Sequence, residues 1–254
     1  MRILLQEMTW PEAQERLKDA VVILPIGSTE QHGPHLPLGT DALIGYEILK
    51  RALEPISDEH NLIVLPPISI GLSQEHLDFP GTVSLKNAAS LISYVEEILG
   101  NLINHGARKI LIWNSHGGNT ASLIAAAREI RRETGAFVVL TTWFELGMQR
   151  IPPGTLESDS LIHSDEGETS VMLYLFPNLV HMEKAQKELP EKLTKLPFFK
   201  KFDKPFVSWI TKDLSSSGII GDPTKASKEK GEILAKAAVD GLSSLIRDLS
   251  SMKI

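Results

Sequence analysis

Four short runs of this 254-residue sequence gather the side chains able to bind a divalent cation or to move protons. The first reads Gly27-Ser28-Thr29-Glu30-Gln31-His32-Gly33-Pro34-His35-Leu36-Pro37-Leu38-Gly39-Thr40-Asp41. Its Glu30, His32 and Asp41 supply two carboxylates and an imidazole, a set that suits Zn, Mn or Fe(II) where thiolates are absent. Glu30 and His32 stand two positions apart, so an extended chain points both to the same side. Glycines and prolines fix the course of the run, which a metal site needs more than a surface loop does. The bland alternative is a polar loop in which Asp41 merely caps the following helix.

The second run is Asn114-Ser115-His116-Gly117-Gly118-Asn119-Thr120. A histidine followed by two glycines leaves its ring exposed and the backbone open to close approach. Gly117, Gly118 and Asn119 are therefore candidate substrate contacts. Asn119 or Thr120 is placed to cap a helix that begins near Ala121. A tight turn or an anion nest at that helix N-terminus is the competing reading, although no Walker lysine or Gly-x-Gly-x-x-Gly supports a phosphate site. The third run, His163-Ser164-Asp165-Glu166-Gly167-Glu168-Thr169, opens an apolar helix. Asp165 and Glu168 have capping-box spacing, yet the density of acids beside His163 also suits proton transfer. The fourth, Gly71 to Thr82, holds His76 in a long loop with a Phe-Pro pair and reads as a wall of the pocket.

These runs need elements to hold them. Val21–Ile26, Leu62–Leu65, Lys109–Trp113 and Phe137–Thr142 are apolar runs of strand length. Helical stripes alternate with them: Ala42–Leu53, Ala88–His105 with Gly106 after it, the stripe of Leu123, Ile124, Ala127 and Ile130 before Gly135, and Glu232–Leu249. Near-continuous apolar strands between helices predict an α/β fold, a mostly parallel sheet covered on both faces. Chemistry then collects beyond the carboxyl ends of the strands, where the first, second and fourth runs lie. The stretch Asn178–Ser227 has no clear period and reads as an insertion over the site or a contact with another subunit. No repeat or flexible linker divides the chain, so residues 1–254 are read as one domain.

Composition narrows the function. Hydrophobic residues make up 42% and charged residues 23%, the balance of a soluble protein with a sizeable core. A net charge of −6 gives no support to nucleic-acid binding. Basic residues gather at Lys184–Lys204, but acids and prolines interrupt them, as in a solvated loop or short helix. The absence of cysteine excludes disulfides, thiolate zinc sites and a cysteine nucleophile. Met1 to Trp10 lacks a long apolar run, so no signal peptide or membrane span is expected and the cytoplasm is the default location.

Together the four runs resemble the creatininase (creatinine amidohydrolase) superfamily. The G-S-T-E-Q-H-G-x-H-L-P-L-x-T-D run at Gly27–Asp41 is its most specific mark. H-x-x-F-P-G-T at His76–Thr82, N-x-H-G-G-N at Asn114–Asn119, H-x-x-x-x-E-T-S at His163–Ser170 and G-x-x-G-D-P-T-x-A-x-x-x-K-G-E at Gly218–Glu232 reinforce it. The resemblance implies a three-layer α/β/α domain, a homohexamer and a two-metal centre. Glu30 and His116 would hold one metal, His32 the other, and Asp41 would bridge both.

Two departures stand out. Creatininase proper has Tyr and Glu where this chain has Gly117 and Gly118, that Glu being a ligand of the second metal; either the second metal is held more weakly or Glu168 replaces that ligand. It also has a Trp-Asp pair, contacting creatinine, where this chain has Asp159 and Ser160. The resemblance therefore implies that the chemistry survives and creatinine as substrate does not. The expected reaction is hydrolysis of a cyclic amide or formamide-type C–N bond of a small molecule by a metal-activated water, with His163 and Glu168 handling protons. The alternatives are a peptidase or ring-ketone hydrolase of the same superfamily, or a non-catalytic protein that grips a metal or an anion.

Overall fold

The computed structural model describes residues 3–157, 162–190 and 207–254. Its sheet has four strands, β1 Val21–Ile26, β2 Leu62–Val64, β3 Lys109–Asn114 and β4 Phe137–Thr142. All neighbours pair in parallel, in the order β2-β1-β3-β4. The four expected strands form, with β2 losing Leu65 and β3 gaining Asn114. Parallel pairing demands crossovers, and helices supply them. The described helices are α1 Trp10–Leu17, α2 Thr40–Leu53, α3 Ala88–Asn104, α4 Thr120–Thr134, α5 Trp143–Met148, α6 Glu166–Leu175, α7 Thr211–Leu214 and α8 Lys228–Ser251, of which α2, α3 and α4 are the crossovers.

Alternation along the strands builds two cores. Val21, Ile23, Leu111 and Trp113 pack with Ile44 and Ile48 of α2 and Leu234 and Leu242 of α8. Val22, Leu24, Ile110 and Ile112 turn the other way, onto Leu91 and Val95 of α3 and Leu123 of α4. Each face of the sheet thus carries a helical layer, which is the expected α/β/α arrangement. In α4 the buried stripe runs through Leu123, Ala126 and Ile130, and Ile124 lies outside it, 41% exposed.

Local chemistry sets the helix ends. The Asn87 side chain accepts from the Ser90 N–H at 2.9 Å and starts α3. Gly135 closes α4 in the left-handed region, φ 71°. Sequence reading missed α1 and α5. Both are too short to show an apolar stripe, and the reciprocal Thr9–Glu12 and Thr142–Glu145 caps are their only signals.

Between β1 and β3 the chain order reverses, since β2 lies on the far side of β1. In open α/β sheets this switch point is where ligands bind. Ile26 of β1, Asn114 of β3 and Thr142 of β4 are register partners, so three loops leave the sheet at one level. Of the Asn178–Ser227 stretch, the described parts are short 3-10 turns, α7 and bridges from Glu188 to Gly221 and from His163 to Ile220. Most of Lys184–Lys204, and both Asp159 and Ser160, lie outside the described residues. Among those described, no helix is long and apolar enough to cross a membrane.

Candidate metal centre

The loop after β1 is held in place before its side chains are considered. The Glu30 N–H donates to the Leu38 carbonyl at 2.9 Å, and the Gln31 N–H donates to Thr82 Oγ1 at 3.0 Å. Asp41 falls in the first turn of α2, behind a Gly39 N-cap, and its side chain makes no capping bond. The helix N-terminus favours its negative charge. His116 leads from β3 into the 3-10 turn Gly117–Asn119. Glu168 stands in the first turn of α6, which Asp165 caps by accepting from Gly167 and Glu168 N–H.

These separate positions converge. Potential donor atoms of Glu30, Asp41 and His116 all lie within 4.8 Å of one another, as do those of His32, Asp41 and Glu168 and of Glu30, His32 and His163. His116 Nδ1 is 3.2 Å from Asp41 Oδ2, His116 Nε2 is 3.3 Å from Glu30 Oε2, and His32 Nε2 is 3.5 Å from Asp41 Oδ1. Glu168 Oε2 is 3.9 Å from His32 Nε2 and also accepts from the Ser164 N–H at 2.6 Å. Glu168 therefore serves the turn as well as the cluster.

Whether these residues fit a divalent cation is tested by their hydrogen bonding. Both Glu30 carboxylate oxygens, Asp41 Oδ2 and His32 Nε2 are buried without any hydrogen-bond partner. Buried polar atoms are ordinarily partnered, and such a group of oxygen and nitrogen lone pairs fits a cation. Backbone carbonyls orient the rings: His32 Nδ1–H points to the Glu30 carbonyl at 3.2 Å, and His116 Nε2–H to the Leu72 carbonyl at 3.0 Å. Each ring then turns its other nitrogen toward Asp41, as outer hydrogen bonds do for ligating histidines.

The electrostatics reflect this crowding. Burial disfavours the charged His32 ring, but Asp41, Glu168 and Glu30 outweigh it and raise its pKa to about 10. Burial likewise opposes charge on His116, and Glu30 and Asp41 hold its pKa well above the ordinary value. Glu30 is stabilised as an anion against its burial, chiefly by His116, and falls to about 2. Burial pushes Glu168 up to about 8 against the opposing pull of His32, with Asp165 and Asp41 adding to the rise. His163 goes the other way: burial, then the nearby His76 and His32, push its pKa well below the usual value.

A cavity of about 340 Å³ opens over these donors. Gly117, Gly118 and His76 line it, as the sequence predicts. His76 is only 2% exposed, however, and its Nε2 lies 3.3 Å from Glu30 Oε1, so it also faces the carboxylate behind the cavity wall. Asn119 is a correction. It is fully buried, accepting from the Leu72 N–H at 2.8 Å and donating to the Gly27 carbonyl at 3.1 Å, and it does not reach the cavity. Its amide ties three loops together and does not cap α4.

Three residues escaped the sequence reading. Gln31, 5% exposed, accepts from the Gly33 N–H at 2.9 Å, which turns its amide nitrogen to the Gly218 carbonyl at 3.1 Å and His76 Nδ1 at 3.0 Å. His76 Nδ1 thus accepts, and Nε2 is the nitrogen that faces Glu30. Glu75 brings a carboxylate to the cavity 3.7 Å from His116 Nε2, in the space a side chain on Gly118 would need. Trp209 packs edge-on against His76. Gln31 lies inside the first run and Glu75 inside the fourth, read as a pocket wall, whereas Trp209 lay in no singled-out run. A larger groove of about 1130 Å³ along Ile3, Leu4, Tyr46 and Leu49 touches none of these donors.

Comparison with known proteins bears on the family of the chain. A family model described as creatinine amidohydrolase matches residues 6–246. The chain is 30% identical to a creatinine amidohydrolase of Pseudomonas putida, over 97% of this chain and 96% of that one. It is 33% identical to a mycofactocin precursor peptide peptidase of Mycolicibacterium smegmatis, over 89% and 84%. It is 29% identical to a 3-dehydro-scyllo-inosose hydrolase of Thermotoga maritima, over 97% and 83%. Among solved structures, a creatinine amidohydrolase superposes with TM-score 0.81 at 28% identity, covering 99% of each chain. A Mn creatininase superposes with TM-score 0.78 at 28% identity, and a mutant creatininase of the Zn-Zn type with 0.76 at 27%, each covering 99% of this chain and 100% of the other. With a parallel sheet of this order, a buried carboxylate–histidine cluster at its switch point and a family match over nearly its whole length, the chain belongs to the creatininase family.

Proposed function

We propose that the protein is a divalent-metal-dependent hydrolase that cleaves an amide-type C–N bond of a small molecule. The observation that carries this reading is the group of partnerless lone pairs on Glu30, His32 and Asp41, buried beneath an open cavity. Glu30 and His116 would hold one cation, His32 and Glu168 a second, and Asp41 both. Glu168 thus takes the ligand position that Gly118 cannot fill. When bound, such cations supply a water acidified to a pKa of ~7 and a Lewis acid for the carbonyl.

The chain's own groups do the rest. The His163 Nε2–H donates to the Gln31 carbonyl at 2.8 Å, which leaves Nδ1, 3.7 Å from Glu30 Oε1, with a free lone pair. With that lone pair free, Nδ1 would take a proton and deliver it to the departing nitrogen. The buried His76 ring lies beside Glu30, and with Gly117 and Gly118 it lines the cavity in which the substrate would sit. A purely structural metal site would close its coordination shell, whereas these donors face a cavity. We further read residues 1–254 as one cytoplasmic domain that assembles with copies of itself.

Elemental analysis of the purified wild type and of Asp41→Ala, with amide hydrolysis measured on both, tests the reading. Divalent metal in the wild type, lost together with turnover in the variant, is the expected result. A wild type that stays metal-free after reloading with Zn, Mn and Fe(II) would refute it.

A further inference from the structure

The carboxylates of the cavity are of two kinds. Glu30, Asp41 and Glu168 contribute oxygens to the groups of converging donor atoms, and the cations they would hold offset their charge. Glu75 lines the same cavity but belongs to none of those groups. Among the described residues, the only Lys, Arg or His nitrogen within 4 Å of its carboxylate is His116 Nε2, at 3.7 Å, which points to the Leu72 carbonyl. No Lys or Arg stands among the described residues of the cavity wall. Elsewhere a sequestered carboxylate has its counter-charge, as Glu166 has Lys230 Nζ at 2.6 Å. A charge left over inside a cavity favours a ligand of opposite sign.

The carboxylate is held where it can meet such a ligand. Glu75 sits in the 3-10 turn Gln74–His76, and its side chain is 21% exposed. Thr211 Oγ1, at the start of α7, donates to the Glu75 carbonyl at 2.8 Å and fixes the turn. Two residues earlier in the chain, Trp209 meets the His76 ring edge-on, centroids 6.2 Å apart, and adds an indole to the cavity wall. Neighbouring contacts of one turn thus bring a carboxylate and an indole to the same cavity. An organic ammonium suits that pair, since the carboxylate accepts its N–H groups and the ring attracts its charge.

We propose that the site selects small amides that carry a protonated amine, and that Glu75 determines this specificity. The proposal rests on the hydrolase reading above and names its substrate class. The amide lies on the donors and the ammonium reaches Glu75, with a short chain between them inside the one cavity. Substrates that carry a carboxylate in place of the amine are turned away by the same charge.

The test uses hydroxamates that share a metal-binding head and differ in the tail: 4-aminobutyrohydroxamate, its uncharged isostere pentanohydroxamate, and succinic monohydroxamate. Affinities are measured by calorimetry on metal-loaded wild type and Glu75→Gln, each with metal content determined. Hydrolysis is followed on 4-aminobutyramide and pentanamide. The wild type is expected to bind the amine probe about tenfold tighter than its isostere, the scale of one charge-assisted hydrogen bond, and the carboxylate probe weakest. Added salt should narrow the gap. In Glu75→Gln the amine advantage should disappear with metal content intact. Equal binding of amine and isostere in the wild type, or an advantage that survives in Glu75→Gln, overturns the proposal. Loss of metal in Glu75→Gln also overturns it, by making Glu75 a cation ligand. If neither amide is cleaved but the amine advantage stands and depends on Glu75, the ammonium site holds and the amide reading falls. Binding of none of the probes overturns both.

Discussion

In the metal-free protein the buried His32 imidazole carries a proton at neutral pH that a cation must displace. Its pKa of about 10 follows from three carboxylates outweighing burial, and Glu168, raised to about 8, is also largely protonated at pH 7. Ligands must be deprotonated to bind, so loading releases these protons and affinity rises as pH increases through 7 and 8. Titration calorimetry in buffers of different ionisation enthalpy should show net proton release at pH 7, falling first as Glu168 titrates near 8 and then as His32 titrates near 10. Heats that do not depend on the buffer would contradict these protonation states. His163 is placed to move protons and is given no cation to hold. His163→Ala is therefore expected to lower kcat by ~10²–10⁴ with metal content intact, and loss of metal would reassign it as a ligand. That Glu30, His32, Asp41 and His116 would come together was legible because their runs follow neighbouring strands, and the structure does cluster their donor atoms. The roles of Glu75 and Trp209 were not, since what matters in them is the neighbour each meets across the cavity.

Helix packing supplies two opposed expectations for the same substitution. Gly231 of α8 lies directly on the Ser170 carbonyl of α6, where a Cβ would collide with backbone. Gly231→Ala should destabilise by ~1–3 kcal/mol, the range for overpacking, because neither helix can yield. Gly100 sits within α3 with no atom within 4 Å of a built Cβ. Gly100→Ala should stabilise by ~0.5–1 kcal/mol through helix propensity and a less free unfolded chain. Thermal melts of the two variants decide both, and a shift of the same sign would show that helix contact does not govern these sites. The long elements were readable because buried strands and amphipathic helices leave periodic marks. The start of α8 moved four residues, from Glu232 to Lys228, because capping by Ser227 and not hydrophobicity fixes where that helix begins.

At the scale of the molecule, the donors come from loops that meet only when the sheet is complete. A cation that binds only this folded arrangement stabilises it, by about 2.7 kcal/mol at a hundredfold excess over Kd. A chelator should lower the melting temperature of the wild type and leave that of Asp41→Ala unchanged. An equal shift in both would place the relevant metal elsewhere. The fold class was readable because strand–helix alternation admits few parallel arrangements. The cavity over the donors was not, because a cavity is bounded by residues from several loops and leaves no mark in any one run.

The shared register of Ile26, Asn114 and Thr142 gives the sheet the character of a ruler. One step along a strand is ~3.3 Å, about the whole separation between His116 and Asp41, so a slip of a single residue would break the cluster and exchange the two faces of β3. Smaller shifts travel the same way: a cavity made at Leu111, deep in the core, would tilt β3 and misplace His116 before the fold is lost. Core packing here sets the tolerance of the chemistry, and cation affinity would report faults in the sheet that a melting curve would miss.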